Sequence, residues 1–171
     1  VFNRCDFVLT DDNPEKYPEY ISTQNSLVNE YDVLYVREDA DVCYDEYDKF
    51  DGMVIGLCRG SIAEDELKIY SEQNNFTYQA EYYANEEEML LAIVGGEVDA
   101  AVLGSLVYID KDVKNVAVIG KHDYRLLAKN DMQQDIDNFD YAVSKYMSEN
   151  NSYINNLYNS LYWQSKAGYP A

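Results

Sequence analysis

The spacing of apolar positions along this chain changes period several times, and each change marks an element. The pattern is most regular between residues 53 and 103. Met53-Val54-Ile55-Gly56-Leu57 is a short apolar run of the kind that forms a buried strand. Ala63, Leu67 and Tyr70 then recur at helical spacing. Ser61 precedes them and Glu64 follows it by three residues, a capping box in which the acid reaches back to the Ser61 amide. Residues 76–82 return to strand. Asn85 and Glu88 open a second helix, Met89, Ala92 and Ile93 give its apolar face, and Gly95-Gly96 stops it. Residues 98–103 are the third strand.

The flanks are less regular. Residues 6–10 and 31–39 predict strands, and Pro14 and Pro18 mark a loop between them. Residues 40–52 are acidic and irregular, ending at Asp51-Gly52. Residues 105–110 predict one or two helical turns, and 116–119 and 124–128 two separate strands. Two helices close the chain, with core stripes Met132, Ile136, Phe139, Val143, Tyr146 and then Ile154, Leu157, Tyr158, Leu161. No fixed-period repeat and no low-complexity segment interrupts this order.

Strand–helix–strand–helix–strand from 53 to 103 predicts an α/β fold with right-handed crossovers and a mainly parallel sheet flanked by helices. Ligands of such sheets bind beyond the carboxyl ends of strands, where helices begin. Arg59-Gly60-Ser61 lies at such an end. A helix start leaves amides unpaired and partly positive, so an anion can dock there. Gly60 lets a ligand approach the backbone, Ser61 offers a hydroxyl, and Arg59 offers a charge-assisted hydrogen bond. A plain alternative stands beside this: Ser61 only caps the helix and Arg59 lies in water.

Charge narrows the partners. The net charge is -19, from 13 basic and 32 acidic residues, which repels phosphate backbones and anionic lipid and excludes nucleic acid as an expected partner. No run of 18 apolar residues exists to span a membrane. The chain opens at Val1-Phe2-Asn3 without a signal-peptide pattern, and a trimmed signal or anchor is the expectation. Cys5, Cys43 and Cys58 lack metal-site spacing, and with the lone His122 they make no zinc cluster. Either one disulfide with a free thiol or three buried thiols fits. His122 is expected on a surface loop. Asp99, at a strand start, is expected to satisfy backbone amides or water. The 18 tyrosines suit sheet faces and sugar- or peptide-facing grooves equally, so they select no function.

Three stretches in order, FDGMVIGLCRGS (50–61), EYYANEEEMLLAIVGGEVDAAVLGSLVYI (81–109) and YRLLAKNDMQQDIDNFDYAVSKYM (124–147), resemble the bacterial extracellular solute-binding protein family. This is family 3, with a periplasmic-binding-protein type 2-like fold, and the likeness is nearest to versions fused to histidine kinases or diguanylate cyclases. The likeness covers residues 4–163. It implies one complete lobe plus part of the other: 1–36 as the end of lobe one and first hinge strand, 37–52 as an acidic connector, 53–122 as lobe two, and 123–171 as the return to lobe one with the C-terminal helices.

What the resemblance implies is an extracellular or periplasmic, membrane-anchored ligand-sensing domain. It would bind a small polar molecule, such as an amino acid or carboxylate, in an interlobe cleft. The alternatives are the substrate-binding receptor of an ABC importer and a degenerate dimerisation module that binds no ligand; a homodimer stays open. No cofactor, metal or catalytic residue is expected, since no convergent acid, base or nucleophile stands out.

Two departures from the family bear on the ligand. Amino-acid-binding members place an arginine after Thr-Pro-Glu to grip the ligand carboxylate. Here Asn13-Pro14-Glu15-Lys16 puts Lys16 there, and lysine cannot form the bidentate fork. Members also carry an acid after the Asp-Ala strand, where this chain reads Leu103-Gly104-Ser105. Ser105 is a candidate cleft hydrogen-bonder or a plain helix cap.

Overall fold

The computed structural model describes residues 5–11, 14–107, 109 and 112–150. The elements in order are β1 (Phe7–Thr10), a 3-10 turn (Pro14–Lys16), β2 (Tyr20–Ser22), β3 (Val28–Arg37), α1 (Tyr47–Phe50), β4 (Met53–Cys58) and α2 (Ile62–Asn74). They continue with β5 (Tyr78–Tyr83), α3 (Glu86–Gly95), β6 (Ala100–Gly104), β7 (Val113–Lys129), a second 3-10 turn (Asn130–Met132) and α4 (Gln133–Glu149). The chain divides into two units. Unit one is built from the chain before Tyr31 and from His122 onward; unit two is Tyr31–Lys121.

In unit two the strands run in the order β3-β6-β4-β5. β4 pairs parallel with β5 (Met53 beside Tyr78, Cys58 beside Tyr83) and with β6 (Ile55 beside Ala100). β3 joins β6 antiparallel, Asp32 beside Gly104 and Val36 beside Ala100. The parallel arrangement expected for 53–103 is therefore present, and the strand outside that stretch makes the sheet mixed. Side chains alternate between two cores, as the pleat requires. Leu34, Val36, Ile55, Leu57, Ala100 and Val102 meet Leu67 of α2 and Phe50 of α1 on one face. Ala101 and Leu103 meet Met89, Leu90 and Ile93 of α3 on the other. The β4–α2–β5 and β5–α3–β6 connections travel in opposite directions across the sheet, so crossovers of one hand put their helices on opposite faces.

In unit one the second half of β7 takes β1 along one edge (Phe7 beside Ala128, Thr10 beside Arg125) and β2 along the other (Tyr20 beside Lys129, Ser22 beside Leu127), both antiparallel. Among the described residues, Leu127 and Ala128 of β7 and Ile136 of α4 are its buried apolar residues.

Several expectations change. The 113–129 region is one 17-residue strand, not two. Gly120-Lys121-His122-Asp123, which separates the two expected strands, lies within this one. His122 accordingly sits in a strand rather than on a loop, with Nδ1 3.3 Å from Asp11 Oδ2. Residues 40–52, expected to be irregular, include α1, and Phe50 is fully buried. At 104–107 the chain makes a turn, with the Val107 amide donating to Gly104 O at 3.0 Å. The three cysteines are free thiols, Cys5 and Cys43 exposed and Cys58 half-buried. The stripe Ile154, Leu157, Tyr158, Leu161 lies outside the described residues.

Candidate functional site

The β4–α2 joint forms as the sequence predicts, with one change of partner. Ser61 is the cap of α2, and its hydroxyl accepts the Glu64 amide at 3.3 Å. Glu64 does not take the Ser61 amide, because that donates to Cys58 O at 3.2 Å. Its Oε2 accepts the Gly60 amide instead, at 2.7 Å. Gly60 has φ +71°, a left-handed conformation that glycine adopts without Cβ strain. The second helix behaves alike: Asn85 accepts the Glu88 amide at 2.9 Å and Glu88 reaches back to Ala84 at 3.2 Å.

Glu64 gathers the site. Its Oε1 accepts the Tyr82 hydroxyl at 2.6 Å. The Arg59 guanidinium carbon stands 3.9 Å from the Tyr82 ring centroid, a cation–π stack. The Tyr82 hydrogen bond, then the Gly60 amide, and more weakly the Arg59 charge hold the Glu64 carboxyl below its ordinary range. The same bond to Glu64, followed by burial, pushes the Tyr82 phenol up. Arg59 is thus neither bare in water nor free of partners: it is exposed and stacked.

At the end of neighbouring β6, Ser105 extends the β3–β6 ladder. Its amide donates to Tyr31 O at 2.7 Å and its Oγ accepts the Tyr31 amide at 2.9 Å. Half-buried Glu86, from the first turn of α3, accepts the Gly104 amide at 2.8 Å. Burial first, then the charges of Glu86 and Glu88, push the Cys58 thiol up. The parallel register, Gly56 beside Ala101, brings the Arg59 turn and Ser105 to the same end of the sheet. Arg59, Gly60, Ser61 and Ser105 therefore belong to one region of unit two. Lys16 belongs to unit one, exposed in a 3-10 turn. Asp99 does what its position predicts: its Oδ2 accepts the Val54 amide at 2.9 Å, tying β6 to β4.

Tyr82 and Glu86 escaped the sequence reading. Tyr82 is one of two adjacent tyrosines, and only the β4–β5 register, Leu57 beside Tyr82, singles it out. Glu86 is one of three consecutive acids, and only the fold brings it to Gly104. It supplies a carboxylate at the end of β6 from a different element than the one where an acid was sought. The region offers hydrogen-bond donors and acceptors with one guanidinium among several carboxylates, a chemistry of polar recognition.

No protein-family model and no curated protein matches this sequence. Solved structures match its fold. The probable amino-acid ABC transporter extracellular-binding protein YtmK of Bacillus subtilis aligns with a TM-score of 0.73 at 14% identity, over 86% of this chain and 68% of that one. The L-cystine solute receptor of Neisseria gonorrhoeae, unliganded and open, gives 0.71 at 15%, over 94% and 68%. The second substrate-binding domain of Lactococcus lactis GlnP, in its open conformation, gives 0.69 at 11%, over 88% and 65%. This chain thus has the α/β fold of type 2 periplasmic binding domains, a mixed sheet with flanking helices that spans 65–68% of the length of these three chains.

Proposed function

We propose that this chain is the ligand-binding part of an extracellular or periplasmic solute receptor of the amino-acid importer type. Its ligand is a small polar molecule such as an amino acid or carboxylate. The observation that carries the reading is the fold likeness to a probable amino-acid ABC transporter binding protein, an L-cystine solute receptor and a substrate-binding domain, with a glycine–serine helix start at the carboxyl end of β4. Arg59, Gly60 and Ser61 meet the ligand in this reading, with Ser105 and Glu86 at the end of β6. Binding, not turnover, is the activity. In this reading unit two, Tyr31–Lys121, is lobe two, and the chain on either side of it belongs to lobe one. A membrane-anchored sensor of a kinase or cyclase would use the same binding step; the domains attached to the chain decide between the two.

A thermal-shift screen against amino acids, small carboxylates, sugars and short peptides tests this. A ligand at a hundred times its Kd stabilises the folded state by about 2.7 kcal/mol. At about 2–4 °C per kcal/mol for a chain of this size, the melting temperature rises by roughly 5–11 °C. The shift is expected to saturate and to be lost in Arg59→Ala and Ser61→Ala. Silence from every compound, with the protein folded, would point to a contact or dimerisation module instead; light scattering would then be expected to report a dimer.

A further inference from the structure

Residues 23–25, between β2 and β3, are held from two directions. Thr23 is fully buried. Its amide donates to Leu126 O at 3.0 Å, its hydroxyl accepts the Leu126 amide at 3.2 Å, and the same hydroxyl donates to Asn25 O at 3.0 Å. From β7, Arg125 Nη1 donates to Thr23 O at 3.2 Å and also to Gln24 O. From α4, Asp140 Oδ2 accepts the Gln24 amide at 2.8 Å, while its Oδ1 accepts the Asn25 amide at 3.1 Å and Asn25 Nδ2 at 3.2 Å. Asn25 Nδ2 also reaches Ser144 Oγ, at 3.0 Å.

Three donors converge on one carboxylate. An ionised carboxylate only accepts, so it can satisfy all three; an amide would turn its own NH2 toward them. The position matters because β3 starts three residues later and passes from unit one into unit two at Tyr31. β7, which carries Arg125, makes the return passage at His122. The departing strand and the returning strand are therefore tied to the same three residues inside unit one.

We infer that Asp140 and Arg125 form a clamp on residues 23–25 that fixes the root of the first crossing strand, so that backbone motion at the crossing begins only beyond Asn25. Asp140 is the positioning residue, acting on β3 through the backbone it holds. The clamp is independent of any ligand, so its test stands apart from the receptor reading.

Amide exchange by NMR on the whole chain at neutral pH reads it directly. Gln24 and Asn25 are exposed, yet their amides are expected to exchange slowly. In Asp140→Asn both are expected to exchange at least tenfold faster, with the amides of α4 and of β4–β6 unchanged. Arg125→Gln is expected to speed the same two amides and provides the reading if Asp140→Asn does not fold. Unchanged exchange at Gln24 and Asn25, or an equal rise across all of unit one, would overturn the clamp.

Discussion

Phe50→Ala tests whether the acidic segment before β4 is part of the core. Phe50 is fully buried in the four-residue α1. Its ring meets Tyr47 edge-on at 5.7 Å and Phe76 edge-on at 5.5 Å, and Tyr70 closes the group against both partners. Truncating a buried phenylalanine to alanine costs about 3–5 kcal/mol, as lost transfer energy plus the cavity left behind. With about 2–4 °C per kcal/mol, the melting temperature falls by roughly 6–20 °C. Phe50→Leu retains most of the volume but loses two edge-to-face pairs, worth about 0.5–1.5 kcal/mol each, so it is expected to lose about 1–3 kcal/mol. Urea unfolding followed by circular dichroism gives both values, provided the slope m is unchanged. A Phe50→Ala loss below about 1 kcal/mol, the size of an average substitution, would refute the claim that α1 belongs to the core.

Glu64→Gln tests the electrostatics of the β4–α2 turn. Because the fold depresses the Glu64 pKa from its ordinary 4.5, the stability it adds is fully present above that value and is lost as the pH falls through the depressed one. Urea melts from pH 7 to 3 are expected to show wild type ahead of Glu64→Gln near neutrality, with the gap closing in acid; a gap that widens in acid contradicts the sign. Gly60→Ala meets open space but forces a side chain into φ +71°, so a loss of about 1–2 kcal/mol is expected by chemical denaturation, and no loss would mean that the turn relaxes. Asp99→Ala leaves the Val54 amide without its acceptor, and a loss of about 1–3 kcal/mol is expected, with faster exchange of that amide as the confirming signal.

Unit two was legible because its signals are local. Capping pairs, helical stripes and apolar strand runs all lie within a few residues of one another, and Ser61, Asn85 and Gly96 fall where the pattern puts them. Unit one was harder to read because its order comes from distant pairing. β2 has three residues and no alternation of its own, and it exists because β7 offers it an edge. The length of β7 is likewise set by its neighbours rather than by the polar stretch in its middle. The candidate site divides in the same way. Arg59, Gly60 and Ser61 are adjacent in sequence and were visible as one turn. The stack of Arg59 on Tyr82, the commitment of Ser105 to Tyr31 and the approach of Glu86 to Gly104 depend on strand register, which no short window contains.

The pairing of β1 with the far end of β7 has a consequence during synthesis. Residues 7–10 leave the ribosome well before their partners, residues 125–128, which follow more than a hundred positions later. At about 5–20 residues per second the wait is roughly 6–24 s. Unit two is continuous in the chain and can form during that interval. Phe7 and Leu9, still 39% and 50% exposed in the finished fold, spend the interval without a sheet to join. The nascent chain therefore carries β1 as a sticky, unpaired segment while a finished half assembles behind it, and this strand is placed only after that half is made.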